Sequence, residues 1–245
     1  MNIGLLDKTV SSLKDTRRAE RDNEIKFIIS NSRSNQILSW LRAACVKDGS
    51  YPAAIVSSIY FDTLQWKHLH EKINSYYLKT KVRIRWYSDF AYRNHSSNSY
   101  LEVKFKIGSK REKIRIKTDI SGNELASTPL EDPSLISIPY TIKSLGADLN
   151  YPLIPAFQIS YKRERFIDPM SGSRICFDYD ISSLRTNSQM LACTNKSFLE
   201  TAVFEIKGSR EELPASLYPV TQMGCQKSSF SKYLSCYQKI NNLIL

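Results

Sequence analysis

A chain of 245 residues with 42% hydrophobic content can bury a substantial core, which excludes an intrinsically disordered protein and points to one folded domain. Lys and Arg outnumber Asp and Glu by 35 to 24, a net charge of +11 that directs attention to phosphate-rich partners or an anionic membrane surface. No apolar run reaches the roughly eighteen residues of a spanning helix, and the opening residues lack a signal-sequence core, so a cytoplasmic protein is expected.

Residues 1–20 are polar and are expected to form a frayed or weakly helical leader to a single domain over 21–243. A strand is expected at 23–30, where Glu24 and Lys26 share one face and Ile25, Phe27 and Ile29 the other. Ser32 or Ser34 is placed to cap a helix over 35–46, in which Ile37, Leu38, Leu41 and Cys45 recur at helical spacing. Residues 55–62 (IVSSIYFD) read as a strand rich in β-branched and aromatic side chains, with Asp62 ending it and capping a short helix over 64–74. Strands follow at 79–87, 100–107 and 111–117; a polar connection spans 88–99, and Gly108 and Ser109 make a tight turn between the last two strands. Prolines and the spacing of Leu135, Ile138, Ile142 and Leu145 suggest a helical excursion over 129–150. A hairpin is expected from 156–167 and 173–181, a last strand at 201–207, a helix start at Pro214 and a closing amphipathic helix over 228–243.

The charges on these strands are not mixed as a solvated face would mix them. Lys79, Lys81, Arg83 and Arg85 share one side of their strand, Glu102, Lys104 and Lys106 one side of the next, and Arg111, Lys113, Arg115 and Lys117 one side of the third. Glu205 and Lys207 do the same on the last strand. Like charges two residues apart repel, so rows this basic anticipate an anion. Each row taken singly is more often a solvated face, and Glu24–Lys26 or Glu205–Lys207 taken singly an ordinary ion pair; the recurrence over several strands is what carries weight. An α+β fold is expected: an antiparallel β-barrel of about eight strands, its lumen polar and basic, its apolar outer face covered by helices.

Guanidinium groups grip phosphate oxygens two at a time and lysines act as point charges. The few carboxylates, Glu24, Glu102, Glu205 and Asp178 or Asp180, suit Mg²⁺ or Mn²⁺, which binds through one or two carboxylates plus substrate phosphates. Trp86, Tyr161 and Phe166 read as packing residues. Cys45, Cys176, Cys193, Cys225 and Cys236 are odd in number with no CxxC pair, which favours reduced, buried thiols, and His68, His70 and His95 lack zinc-site spacing.

The succession Glu24-x-Lys26, SIYFDT (58–63), KVRIRWY (81–87), YLEVKFK (100–106), REKIRIK (111–117), YKRERF (161–166), RICFDYD (174–180), FEIKG (204–208) and SSFSKY (228–233) resembles the VTC domain. That is the polyphosphate polymerase domain of the vacuolar transporter chaperone family, a branch of the triphosphate tunnel metalloenzymes. The resemblance covers about residues 20–240 and implies a tunnel in which a polyphosphate chain takes the terminal phosphate of ATP with Mn²⁺ or Mg²⁺ as cofactor. It implies catalytic roles for Lys26, Arg83, Arg85, Lys104 and Glu205, phosphate binding by Lys113, Arg115, Arg163, Arg165, Lys207 and Lys232, and metal binding by Glu205 with Glu24 and Glu102 in support. Lys110 and Arg115 are alternatives to Lys113 for one phosphate position. The wider family opens with ExExK, whereas Asp22 takes the first place here. Eukaryotic members add a regulatory domain and membrane spans, neither expected in this chain, so a membrane-protein partner and peripheral association with the inner face of a membrane are the expected extensions. The alternatives are a tunnel triphosphatase hydrolysing triphosphate or nucleoside triphosphates, or a polyphosphate-binding module; no specific nucleic-acid partner is expected.

Overall fold

A computed structural model of the chain describes residues 16–19, 23–108, 110–145, 149, 151–192, 196–208 and 212–242. Residues 1–15 of the expected leader, Asp22, Ser109, Cys193 and the side chains of Ile142 and Leu145 lie outside the described residues. The fold is α+β, a mainly antiparallel sheet with six described α-helices. Twelve strands are described against the expected eight; three are two-residue strands, β3 (Val46–Lys47), β10 (Ser197–Phe198) and β12 (Gln226–Lys227), and β1 (Thr16–Ala19) has four residues. The other eight are each eight residues or longer. No described pairing joins β1 to β12, the ends of the strand order, so the hydrogen bonding does not display a closed barrel.

The chain divides into two compact units, and β4 (Ala53–Asp62), β8 (Ile154–Ile167) and β9 (Arg174–Thr186) contribute residues to both. The first unit holds β5 (Leu78–Ser88), β6 (Ser99–Ile107) and β7 (Lys110–Thr118), paired antiparallel in that order, with β1 on the far side of β7. Alternation makes this possible: Val82, Ile84, Trp86, Leu101, Val103, Ile114 and Ile116 form the buried face, while the intervening residues carry charge. Each such aliphatic side chain contributes about 1.5–3 kcal/mol on burial. The short helices α3 (Gly122–Ser127) and α4 (Pro133–Ser137) add Leu125 and Leu135 to this core. Helix α2 (Lys67–Ile73) is shorter than the sequence suggests because Trp66, just before it, has a left-handed φ of +57°, which a helix cannot continue through; the Asp62 carboxylate accepts from the backbone N–H of Thr63, His68 and Leu69.

The second unit carries β2 (Asn23–Ser30), β11 (Thr201–Gly208) and part of β9, with β11 between β2 and β9, and β12 on β2. Its core is separate: Ile25, Phe27 and Ile29 meet Phe177, Phe204 and Ile206 from the sheet and Ile37, Leu38 and Leu41 from α1 (Ser34–Ala44). Neither serine caps α1, since a single 3₁₀ turn, Asn31–Arg33, runs directly into it and leaves Ser34 as its first helical residue. The helix expected at Pro214 is a 3₁₀ turn, Ala215–Leu217, followed by α5 (Pro219–Gln222). The last helix, α6 (Lys232–Ile240), begins four residues later than expected, with Ser231 accepting from the N–H of Leu234. Cys45, Cys176, Cys225 and Cys236 are free and buried.

Candidate functional site

In the first unit, strand register decides which charges meet. Arg83 lies opposite Glu102, and Glu102 opposite Arg115; one step along, Lys81, Lys104 and Lys113 form a row across three strands. Glu102 is buried, and one of its oxygens accepts from Arg83 Nε at 2.8 Å while the other accepts from Lys113 Nζ at 2.6 Å. Arg115 Nε stands 3.4 Å and Arg85 Nη1 3.8 Å from the same carboxylate. Four cations therefore share one carboxylate. Arg83 also donates to the Tyr60 hydroxyl at 3.0 Å and Arg85 to Ser58 Oγ at 3.1 Å, while the Arg115 guanidinium lies 3.7 Å over the Tyr100 ring. Burial pushes the Glu102 carboxyl up, but Arg83, Arg85 and Lys113 outweigh it and hold the group well below the usual carboxylate range. Burial lowers Lys113 to about 8, with Glu102 opposing and Arg83 adding to the depression.

The second unit holds a different cluster. Arg163 grips Asp178 with two nitrogens at 2.5 and 2.6 Å, and Lys232, the first residue of α6, reaches the same carboxylate at 2.6 Å. Glu205 is contacted by Lys232 at 3.3 Å, Arg163 at 3.3 Å and Lys26 at 3.6 Å, each longer than the bonds to Asp178. Lys26 bonds Glu24 at 2.9 Å, and Lys207 lies opposite Glu24 in the register. Burial and the Glu205 charge push Glu24 up, yet Lys26 and Lys207 bring it down to about 2. Glu205 is held well below its ordinary range against burial by Lys232, Lys26 and Arg163, and Lys232 is raised, despite burial, by Asp178 and Glu205. Lys26, Arg163, Lys207 and Lys232 thus face Glu24, Asp178 and Glu205, a near balance of charge.

The two carboxylates suited to a divalent ion are Glu24 and Glu205. Asp178 has both oxygens occupied by short charged hydrogen bonds and acts as the support that aims Arg163 and Lys232. Among the described residues no three His, Cys, Asp or Glu form a ready-made metal cage. Two carboxylates completed by substrate oxygens are nevertheless a normal donor set for Mg²⁺ or Mn²⁺, so the chemistry of the pair fits. Glu102, expected beside them, sits in the other unit with its oxygens taken by Arg83 and Lys113.

Of the expected phosphate ligands, Lys104, Lys113 and Arg115 fall in the first cluster's rows and Lys26, Arg163, Lys207 and Lys232 in the second cluster. Arg165 is engaged elsewhere, donating to the Tyr51 carbonyl at 3.0 Å. Lys110 is exposed at the start of β7. Between the two acidic candidates, Asp178 joins the cluster and Asp180 does not: a φ of +51° at Asp180 breaks the alternation, and its exposed carboxylate pairs with Lys162. Ser58 and Tyr60 were not anticipated in the cradle, although they alternate on β4 with buried Ile59 and Phe61 and so share a face. Tyr161 is buried as expected of a packing residue, but its ring also lies 4.9 Å from Lys232 Nζ.

In this α+β fold the charged alternates of an antiparallel sheet gather, in each unit, around buried carboxylates. The VTC domain pattern matches residues 21–241, and the chain belongs to the VTC domain family. Among solved structures, a candidate adenylate cyclase from Bacillus halodurans superposes with a TM-score of 0.51 at 14% identity, over 88% of this chain and 95% of that one, which shows a shared fold. A protein from Pyrococcus horikoshii OT3 matches with a TM-score of 0.48 at 14% identity, over 89% of this chain and 99% of that one. No curated protein matches the sequence. Among the described residues no helix is long and apolar enough to cross a membrane.

Proposed function

We propose that residues 21–243 act as one catalytic domain, a metal-dependent polyphosphate polymerase that transfers the terminal phosphate of ATP to a polyphosphate chain. Family membership supports phosphoryl-transfer chemistry, and the proposal includes the basic tunnel that the resemblance implies. The observation that favours transfer to a chain over simple hydrolysis is the contrast between the two clusters. Around Glu102, four cations to one carboxylate suit an acceptor polyanion with no metal; around Glu205, near balance suits a nucleoside triphosphate brought with a divalent ion.

In this reading Arg83, Arg85, Lys104, Lys113 and Arg115 hold the acceptor, with Glu102, Tyr60 and Ser58 fixing the two β5 arginines. Lys26, Arg163, Lys207 and Lys232 neutralise the triphosphate, and Arg165 has no part. A terminal oxygen of the acceptor attacks the γ-phosphorus; the bond from that phosphorus to the β–γ bridging oxygen breaks, and ADP leaves with the electron pair. Glu205 and Glu24 would hold Mn²⁺ or Mg²⁺, which supplies charge neutralisation at the phosphate oxygens when bound.

Incubation of the purified protein with ATP, Mn²⁺ and a short polyphosphate primer, with products resolved by gel, tests the reading. Chain extension supports it; ADP and free phosphate alone identify a triphosphatase, and no turnover identifies a binding module. Glu205→Gln should lose at least about 10²-fold in metal-dependent turnover while tripolyphosphate binding stays within a few fold. Full activity in that variant overturns the metal assignment.

A further inference from the structure

The end of the β5–β6 hairpin breaks the pattern of the rest of its sheet. Along the core-facing row, Val82 and Val103 are opposite each other and fully buried, yet Leu78 and Ile107, the same pairing two steps further out, are exposed. The apolar face of the sheet therefore continues beyond its cover. The six residues 73–78 leading into β5 are all exposed, and they include Ile73, Tyr76 and Tyr77, the last 74% exposed. Tyr77 is not a loose side chain: its carbonyl accepts from the Gly108 N–H at 2.9 Å, and its ring lies so close over Gly108 that a Cβ there would stand 2.8 Å from it. Five large apolar or aromatic side chains are thus held at one tip on ordered backbone.

Within the two segments that form the tip the charge has one sign. Lys72, Lys79, Lys106, Lys110 and Arg111 flank the tip, and neither 72–79 nor 104–111 contains an acidic residue. The nearest acidic side chains on either side are turned to structural use: Glu71 is buried and accepts from the Thr80 N–H, and Glu112 is half-buried and already engaged within the fold. A second copy of this chain is a poor occupant, because it would bring the same cations face to face. Tyrosines prefer the boundary between headgroups and acyl chains, and flanking lysines add attraction to anionic lipid.

We propose that this tip, residues 72–79 with 105–108, 110 and 111, docks the domain on the surface of an anionic lipid bilayer, Tyr76, Tyr77, Leu78 and Ile107 entering the interfacial layer and the flanking lysines meeting headgroup phosphates. The inference is independent of the catalytic reading. It is tested by co-sedimentation of the full chain at about 0.1 M salt with vesicles of phosphatidylcholine alone or with roughly a third phosphatidylglycerol. Binding to the anionic vesicles only is expected. The triple variant Tyr77→Ser/Leu78→Ser/Ile107→Ser, whose changes are all at exposed positions, should bind at least about tenfold less while keeping its thermal midpoint and its affinity for tripolyphosphate. In Tyr77→Trp, brominated lipid should quench the added fluorescence. Absence of binding to anionic vesicles, as expected if an acidic protein covers the tip, overturns the proposal. So does undiminished binding by the triple variant, which would assign the attraction to net charge alone, or an unquenched Trp.

Discussion

Replacing Glu102 by glutamine keeps the shape of the side chain and removes the negative charge that Arg83, Arg85, Lys113 and Arg115 share. The Glu102 side chain is 2% exposed, Arg85 8% and Arg83 16%, so these cations cannot simply turn to water when their partner is lost. Stranding charges in a buried ion cluster costs about 3–5 kcal/mol; the greater exposure of Lys113 and Arg115 places this case at the lower end, about 3 kcal/mol. For a chain of this size each kcal/mol moves the thermal midpoint by about 2–4 °C, so Glu102→Gln should melt about 6–12 °C below the wild type. Tripolyphosphate replaces the missing anion: at about a hundred times its dissociation constant it should restore about 2.7 kcal/mol, most of the loss. The pH dependence is a second check. Because the folded pKa of Glu102 is depressed, its contribution is complete above the unfolded value near ~4.3 and is lost as pH falls toward the folded pKa, so the gap between wild type and variant should close on acidification. Differential scanning fluorimetry with and without tripolyphosphate measures all three. A variant melting within about 2 °C of wild type at neutral pH would show that the four cations do not depend on Glu102, and the cradle as described would be wrong.

Two further predictions concern the same unit. Lys113, lowered to about 8, should lose its charge as pH rises through that value. Tripolyphosphate affinity between pH 7 and 9 should then fall more steeply for wild type than for Lys113→Arg, by up to about tenfold at the upper end, as titration calorimetry would record; parallel profiles would refute the assignment. Gly122→Ala, ordinarily favourable in a helix, should destabilise by about 1–3 kcal/mol in urea unfolding, since its Cβ would stand 2.6 Å from Trp86 Cδ1 and 2.9 Å from His95 Cβ. An unchanged or raised midpoint would mean that the Trp86 contact yields easily.

What the sequence by itself determined was local and periodic. Alternation placed Arg83, Arg85, Glu102, Lys104, Lys113 and Arg115 opposite Val82, Ile84, Val103 and Ile114, because a strand sends successive side chains to opposite faces whatever surrounds it. The same rule made the long strands β2, β5, β6, β7 and β11 legible to within a residue or two at their ends. Tertiary structure decided the rest. Register set Glu102 between Arg83 and Arg115 and set Lys104 between Lys81 and Lys113; the tight turn at Gly108 fixes the β6–β7 half of that register, but no local pattern specifies which residue of β5 faces which of β6 across the 88–99 connection, where a slip of one residue would have sent the charged row to the core. The choice of Asp178 over Asp180 turned on one residue with positive φ, and Lys232 reached Glu205 from a helix 27 positions away in sequence. Most of all, the basic strands that look alike as sequence fall into two clusters of different charge balance. Charge parity can be read along one strand, but how many cations gather on one carboxylate depends on which strands lie side by side.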